Sequence, residues 1–252
     1  MQNGFLNAKE GLLTVILQCE ELNVAISRIR NANCLGAEAY GVQIESLLPE
    51  YRNADVYRKL FKEMGGRPCY VTNYRGKHNR GKSDEVLAQE LLELSQCGAA
   101  LCDVMGDLYC KHPEELTEDP EAIKKQMELI EELHQQGSAV LMSSHIRKFR
   151  PAERVLEIAL EQKRRGADII KIVTGAKTME EQIENLRTTD LLKRELGAPF
   201  LFLSGGQCSI HRRLGAMLGN CMTLCVYEHD EQSTATQPLL STMKTIRDNL
   251  DF

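Results

Sequence analysis

Apolar and polar residues follow one another along this chain in blocks. Eight short runs are nearly continuous in Val, Ile, Leu, Met, Cys and Ala: Leu12–Leu17, Ala39–Ile44, Cys69–Tyr74, Ala99–Val104, Ala139–Met142, Asp168–Val173, Ala198–Leu203 and Met222–Tyr227. Strands covered on both faces have this composition, because every side chain meets another layer whichever way it points. The intervening segments carry helical spacing. Residues 120–136 place Ile123, Met127, Ile130 and Leu133 on one face, residues 151–165 place Val155, Ile158, Ala159 and Gln162 together, and the last stretch does so with Leu239, Met243, Ile246 and Leu250. Pro120 and Pro151 suit a first helical turn, and Gly98, Gly137, Gly166 and Gly197 stand where a helix C-cap precedes the next run.

Eight strand–helix units recurring about every 30 residues predict a (β/α)8 TIM barrel, a fold of about 250 residues. On this reading residues 1–252 form a single domain, with no linker or low-complexity tract. An open doubly wound sheet competes, but it uses fewer strands and a glycine-rich first turn. The turn after Leu17 reads Gln18, Cys19, Glu20, Glu21.

Charge and cysteine usage narrow the class further. A net charge of −5 on 252 residues argues against a nucleic-acid partner. The nine cysteines (Cys19, Cys34, Cys69, Cys97, Cys102, Cys110, Cys208, Cys221, Cys225) are irregularly spaced, contain no CxxC pair and read as reduced thiols of a cytoplasmic protein. The first residues lack the basic segment and cleavage site of a signal peptide. Leu12–Leu17 is too short to span a bilayer, so no membrane association is expected.

Barrel active sites lie at the C-terminal ends of the strands. There the chain offers Gln43 and Glu45, Asn73 and Arg75, Asp103, Ser143 to His145, Lys171, Ser204, and Ser233 with Gln237 in the last loop. Lys171 stands out, between Ile170 and Ile172 in a run that reads as a buried strand. Buried lysines are rare. Desolvation favours the neutral amine, which attacks a ketone to form an imine. The competing reading is a structural lysine paired with Asp103 or Glu45. His145, one strand earlier, is placed to move protons near pH 7. Arg75, Lys77, Arg80, Arg212 and Arg213 suggest a small anionic substrate, with Lys77 and Arg213 also readable as plain surface charge. Cys208 and His211 have CxxH spacing without a second ligand pair, so no metal is expected. The run from Glu161 to Arg165 reads as a solvated helix face.

These short motifs together resemble the type I 3-dehydroquinate dehydratase family, (β/α)8 enzymes of the shikimate pathway of aromatic amino acid biosynthesis. GAEAYGVQIE, VTNYR, CDV, SSHIRKFRP, ADIIKIV, HRRLGAMLG and STATQ resemble its strand-end motifs from Gly36 to Gln237. The resemblance implies that Lys171 forms the imine and His145 is the general base and acid. It implies that Arg212, Ser233 and Gln237 hold the substrate carboxylate and Arg75 contacts its hydroxyls, with Gln43, Asp103 and Asn79 completing the binding site. It implies a covalent imine with no separate cofactor, a small anionic keto-acid substrate and a homodimer. Gly41 and Gln43 align with the Glu and Arg that bind substrate hydroxyls in the family, and Asn79 with the glutamate that orients its histidine. Loss of that recognition shell beside a retained lysine–histidine pair fits a paralogue acting on a different ketone. A class I aldolase and a non-catalytic barrel that binds an anionic metabolite are the alternatives.

Overall fold

The structure, a computed structural model, describes residues 4–7, 11–206 and 210–249. Cys208 and Leu250 lie outside the described residues. A short helix α1 (Gly4–Asn7) precedes the first strand. Strands β1 (Leu12–Leu17), β2 (Ala39–Gln43), β3 (Cys69–Thr72), β4 (Leu101–Met105), β5 (Ala139–His145), β6 (Ile169–Ala176), β7 (Phe200–Gly206) and β8 (Met222–Cys225) then alternate with helices. These are α2 (Leu22–Cys34), α3 (Ala54–Glu63), α4 (Asp84–Gln96), α5 (Pro120–Gln135), α6 (Ala152–Arg164), α7 (Met179–Glu195), α8 (Ile210–Leu214) and α9 (Leu240–Asp248).

All strand pairs are parallel, in the order β7-β6-β5-β4-β3-β2-β1-β8. At the β7–β8 seam, Cys221 N donates to Phe200 O (2.9 Å). The Asn220 amide also mimics a backbone unit, accepting from Phe202 N and donating to Phe202 O, both at 2.9 Å. The ring of strands is thereby nearly closed, a TIM-barrel fold.

The apolar runs divide between two cores, as a sheet wrapped by helices requires. One face of each strand packs against the helices through residues such as Val15, Val71, Val104, Val140 and Phe202. The opposite face fills the barrel with Ile16, Tyr70, Leu101, Leu141, Ile169 and Leu201. Gly98, Gly137, Gly166 and Gly197 all have positive φ, which glycine adopts at a helix C-cap without steric cost.

Three expectations change. Met127 is exposed, and the buried stripe of α5 is Ala122, Gln126, Leu129, Ile130 and Leu133. Apolar periodicity cannot register a glutamine buried because its amide donates to Gly106 O and Leu108 O (2.9 and 3.0 Å). Pro151 is the residue before α6 and not within its first turn. Arg165, read as solvated, is 2% exposed.

Candidate active site

Lys171 and His145 reach the barrel interior through strand register. In the β5–β6 ladder Ser143 pairs with Lys171 and His145 with Val173, so His145 lies two residues further toward the C-terminal mouth. Side chains two apart on a strand share a face. Ile169 and Val173, flanking Lys171 at that spacing, pack in the barrel interior.

Lys171 is 4% exposed, and its ammonium has three partners. Nζ donates to Tyr70 Oη (2.7 Å), Tyr74 Oη (2.6 Å) and Asp103 Oδ2 (3.0 Å). Tyr70 Oη donates to Asp103 Oδ2 at 2.6 Å, Tyr74 also bonds to Oδ2, and Ser143 Oγ donates to Oδ1 at 2.5 Å. Burial, reinforced by the Asp103 charge, pushes both phenols well above the usual tyrosine range, so they stay protonated. Of the two counter-ions considered for Lys171, the structure supplies Asp103. Glu45 is buried separately, accepts from Thr72 Oγ1 (3.0 Å) and is pushed up by desolvation.

His145 is oriented by Glu115, from the loop between β4 and α5. Glu115 Oε2 accepts from the His145 backbone N–H (2.8 Å) and lies 3.0 Å from Nδ1. Burial acts to raise the Glu115 carboxyl, but the hydrogen bonds and charge of His145 outweigh it, with help from Arg147, and hold it below the usual range. An ionised carboxylate against Nδ1 selects the Nδ1–H tautomer and leaves Nε2 as the basic nitrogen.

The loop bearing Glu115 is itself fixed. Glu115 sits at φ +46°, an uncommon conformation for a residue other than glycine. Ser144 Oγ donates to its carbonyl (2.7 Å), and a Cβ at Gly106 would lie 2.4 Å from that oxygen. Arg165 donates to Thr117 O (2.6 Å), Gly106 O (3.2 Å) and Gln126 Oε1 (2.9 Å), tying both ends of the loop to α5. Arg165 is buried because it satisfies carbonyls that the loop leaves without strand partners.

These groups meet in a cavity of about 630 Å³ at the C-terminal end of the barrel. Lys171, His145, Glu115, Tyr70 and Tyr74 line it together with Arg212, Thr174, Gly205 and Gln237. Arg212 donates from Nε to Ser204 O (3.1 Å), and among the described residues no carboxylate pairs with it. Burial pushes its guanidinium down from the usual range. Thr174 Oγ1 and Gln237 Oε1 are buried without hydrogen-bond partners among the described residues. Buried polar atoms are normally satisfied, so Arg212, Thr174 and Gln237 fit an anionic, hydroxyl-bearing ligand. Gln43 also lines the cavity, accepting from Gln18 Nε2 (2.9 Å).

Four expected site residues are placed differently. Arg75 lines the cavity, but four of its five N–H groups go to Asp84 (2.8 and 2.6 Å), Asp107 Oδ1 (2.7 Å) and Asp107 O (2.8 Å). It is a clamp between β3 and the β4–α5 loop, with few donors left for substrate hydroxyls. Asn79 is buried away from His145, donating to Asn73 Oδ1 and Tyr74 O, both at 2.8 Å. Ser233 closes a turn on Asp230, and Thr234 faces the cavity in its place. Asp103 is sealed beneath the two tyrosines and is absent from the cavity lining. Arg80 and Arg213 also stand outside that lining, whereas Lys77 and the unanticipated Arg147 belong to it.

The CxxH pair resolves only in part, since Cys208 lies outside the described residues. His211 is fully buried, 2.7 Å from Thr189 Oγ1 through Nε2. No group of three or more metal-ligand side chains occurs among the described residues. Tyr70, Tyr74 and Glu115, like Thr174, Thr234 and Arg147, are cavity residues that the sequence did not single out. Tyr70 and Tyr74 were embedded in a strand run, and Glu115 lies in a loop without periodicity.

The barrel topology and a cavity that holds a buried lysine and an oriented histidine place this chain among (β/α)8 barrels with a polar site at the strand ends. The type I 3-dehydroquinase family model matches residues 13–252, and the chain belongs to that family. A 3-dehydroquinate dehydratase from Geobacillus thermodenitrificans is 31% identical over 103 residues, 40% of this chain and 39% of that protein. One from Clostridium kluyveri is 27% identical over 169 residues, 66% of this chain and 63% of that protein. The chain thus matches less than two thirds of the length of these curated relatives. A solved type I 3-dehydroquinate dehydratase from Clostridium difficile superposes with a TM-score of 0.81 at 16% identity, covering 96% of this chain and 93% of that one.

Proposed function

We propose that this protein is a Schiff-base-forming lyase that dehydrates 3-dehydroquinate. The observation that carries the reading is the opening of Lys171, His145 and Arg212 into one cavity. Lys171 attacks the substrate ketone, and the carbonyl oxygen leaves as water, giving an iminium. The iminium draws electrons from the neighbouring carbon, and His145 Nε2 takes a proton from it. The enamine that results expels the β-hydroxyl, which receives that proton from His145 and departs as water. Water then hydrolyses the iminium, releasing a conjugated enone and restoring Lys171.

In this scheme Glu115 holds the His145 tautomer and balances its transient positive charge, while Arg212 and Gln237 take the substrate carboxylate. Asp103 serves as counter-ion to Lys171, and Gln43 faces the hydroxyl-bearing end. The imine itself supplies the electron sink, so the reaction calls for no cofactor. Family membership argues against a class I aldolase and against a purely binding role. A related cyclic hydroxy-keto acid is the second reading, favoured by Arg75 being committed to Asp84 and Asp107.

A single barrel domain over 1–252, a cytoplasmic setting and a homodimer belong to the same reading. Free cysteines throughout the described residues fit a reducing compartment, and sedimentation tests the dimer. The functional test is the ultraviolet absorbance of the conjugated enone. It should grow when dehydroquinate is added to the wild type and not with Lys171→Ala. Equal growth with Lys171→Ala excludes the reading.

A further inference from the structure

Imine chemistry at Lys171 leaves a hydroxyl against the reacting nitrogen without a role. Tyr74 Oη is 2.6 Å from Lys171 Nζ, and Tyr74 also lines the cavity. Nζ has two other acceptors: Asp103, which does not line the cavity, and Tyr70 Oη (2.7 Å), which lines it but lacks the contact with the His145 ring that Tyr74 makes. Tyr74 is held from several sides. Its carbonyl accepts from Asn79 Nδ2 (2.8 Å), and its ring meets the His145 ring edge-on with centroids 5.1 Å apart. Tyr74 thus touches the reacting nitrogen and also borders the cavity that would receive a carbonyl substrate.

Iminium formation makes a strict demand on protons. Lys171 begins as an ammonium with three N–H bonds and ends as an iminium with one. The two protons it loses finish on the carbonyl oxygen, which leaves as water. Nitrogen and oxygen share one carbon, so direct transfer between them needs a strained four-membered ring. A hydroxyl that touches the nitrogen and faces the oxygen relays the proton through a larger ring.

We propose that Tyr74 is a further catalytic residue of this site, the proton relay between Lys171 Nζ and the departing oxygen. The proposal rests on the Schiff-base reading above. Nζ first gives a proton to Asp103 Oδ2. The neutral amine then bonds to the carbonyl carbon as the π electrons move to oxygen. Tyr74 donates its phenolic proton to that oxygen and regains one from Asp103, to which its hydroxyl is bonded. The second proton leaves nitrogen by the same path, the C–O bond breaks, and water departs. Tyr74 and Asp103 end as they began, and His145 is kept for the C–H step.

The test uses glyoxylate with cyanoborohydride, a small aldehyde acid that needs no hydroxyl subsite, and reads the rate of adduct formation by mass spectrometry. Lys125 and Lys244, which are about half exposed, serve as internal standards in the same chain. Tyr74→Phe keeps the ring and removes only the hydroxyl. Lys171 labelling should fall about 10²-fold relative to the standards, and the solvent deuterium isotope effect on it should vanish. An unchanged or faster Lys171 rate, or a retained isotope effect, overturns the relay.

Should Tyr74→Phe fold poorly, 3,5-difluorotyrosine at position 74 preserves the shape with a more acidic phenol. The alkaline limb of the Lys171 rate should then move to lower pH, and an unmoved limb overturns the relay. The titratable groups facing Tyr74 are Lys171, Asp103, Tyr70, His145 and Glu45, none of them altered by this change. Dehydroquinate run in parallel separates the two claims. Glyoxylate labelling without any dehydroquinate adduct removes the substrate assignment and leaves the relay intact, whereas a Lys171 inert to both removes both.

Discussion

Gly41 and Tyr70 share one space inside the barrel: a Cβ built on Gly41 would lie 2.8 Å from Tyr70 Cδ1 and 2.4 Å from Ile16 Cδ1. They are register partners on β2 and β3, so their inward positions face each other directly. The glutamate that the family resemblance places at position 41 has no room beside this ring. A side chain at position 41 and the Tyr70 ring therefore compete for the same volume. Gly41→Ala should destabilise the protein by about 1–3 kcal/mol through overpacking. Gly41→Ala combined with Tyr70→Leu should cost less than the sum of the two single changes. Urea unfolding of the four proteins measures that coupling, and strict additivity would mean that the two positions do not compete.

Glu115 should matter to proton transfer more than to imine formation. Glu115→Gln should lower kcat about 10²-fold while borohydride still traps substrate on Lys171. Gly106→Ala should produce a milder version of the same defect, because its methyl group would displace the Glu115 carbonyl. Steady-state kinetics beside single-turnover trapping distinguish the steps. Loss of trapping in step with kcat would instead assign Glu115 to the architecture of the site.

The alternation of strand and helix was readable in the sequence because doubly covered strands need continuous apolar runs, and all eight runs coincide with strands. Lys171 was readable because a lysine inside such a run is conspicuous, and His145 because it stands just past the end of one. Arg75, Asn79 and Ser233 have partners that the sequence did not foretell. Sequence position gives the end of the strand from which a side chain projects, but not the partner that claims it. Asp107 and Asp84 claim Arg75, and Tyr74 O with Asn73 claims Asn79. Glu115 was invisible because its importance depends on a left-handed loop residue and on Arg165 anchoring that loop.

Arg75 and Arg212 should separate in mutagenesis. Burial opposes the charge on Arg75, and the Asp84 and Asp107 carboxylates more than offset it, holding the guanidinium above its usual range. Arg75→Lys forfeits the fork and should cost about 1–3 kcal/mol of stability with KM little changed. Arg212→Lys should leave stability nearly intact and raise KM at least 10-fold. Thermal unfolding and kinetics on both variants check this, and a KM defect in Arg75→Lys alone would restore Arg75 as the carboxylate or hydroxyl ligand.

His211 makes stability pH-dependent. Burial, and secondarily the Arg212 charge, push its imidazole down to about 4, whereas an unfolded histidine titrates near ~6.5. Between these values the unfolded chain binds the extra proton, so stability rises with pH. The contribution is complete above about pH 6.5 and is lost as pH falls toward 4, by about 3 kcal/mol at most. Unfolding curves across this range should show a slope in the wild type that is absent in His211→Leu. Identical slopes would place the acid sensitivity elsewhere.

The most direct measurement is borohydride reduction of the protein with 3-dehydroquinate, followed by peptide mass spectrometry. Imine chemistry predicts one stable adduct, located on Lys171, formed also by His145→Ala and abolished in Lys171→Ala. An unmodified Lys171 at saturating dehydroquinate, with turnover proceeding, would contradict it.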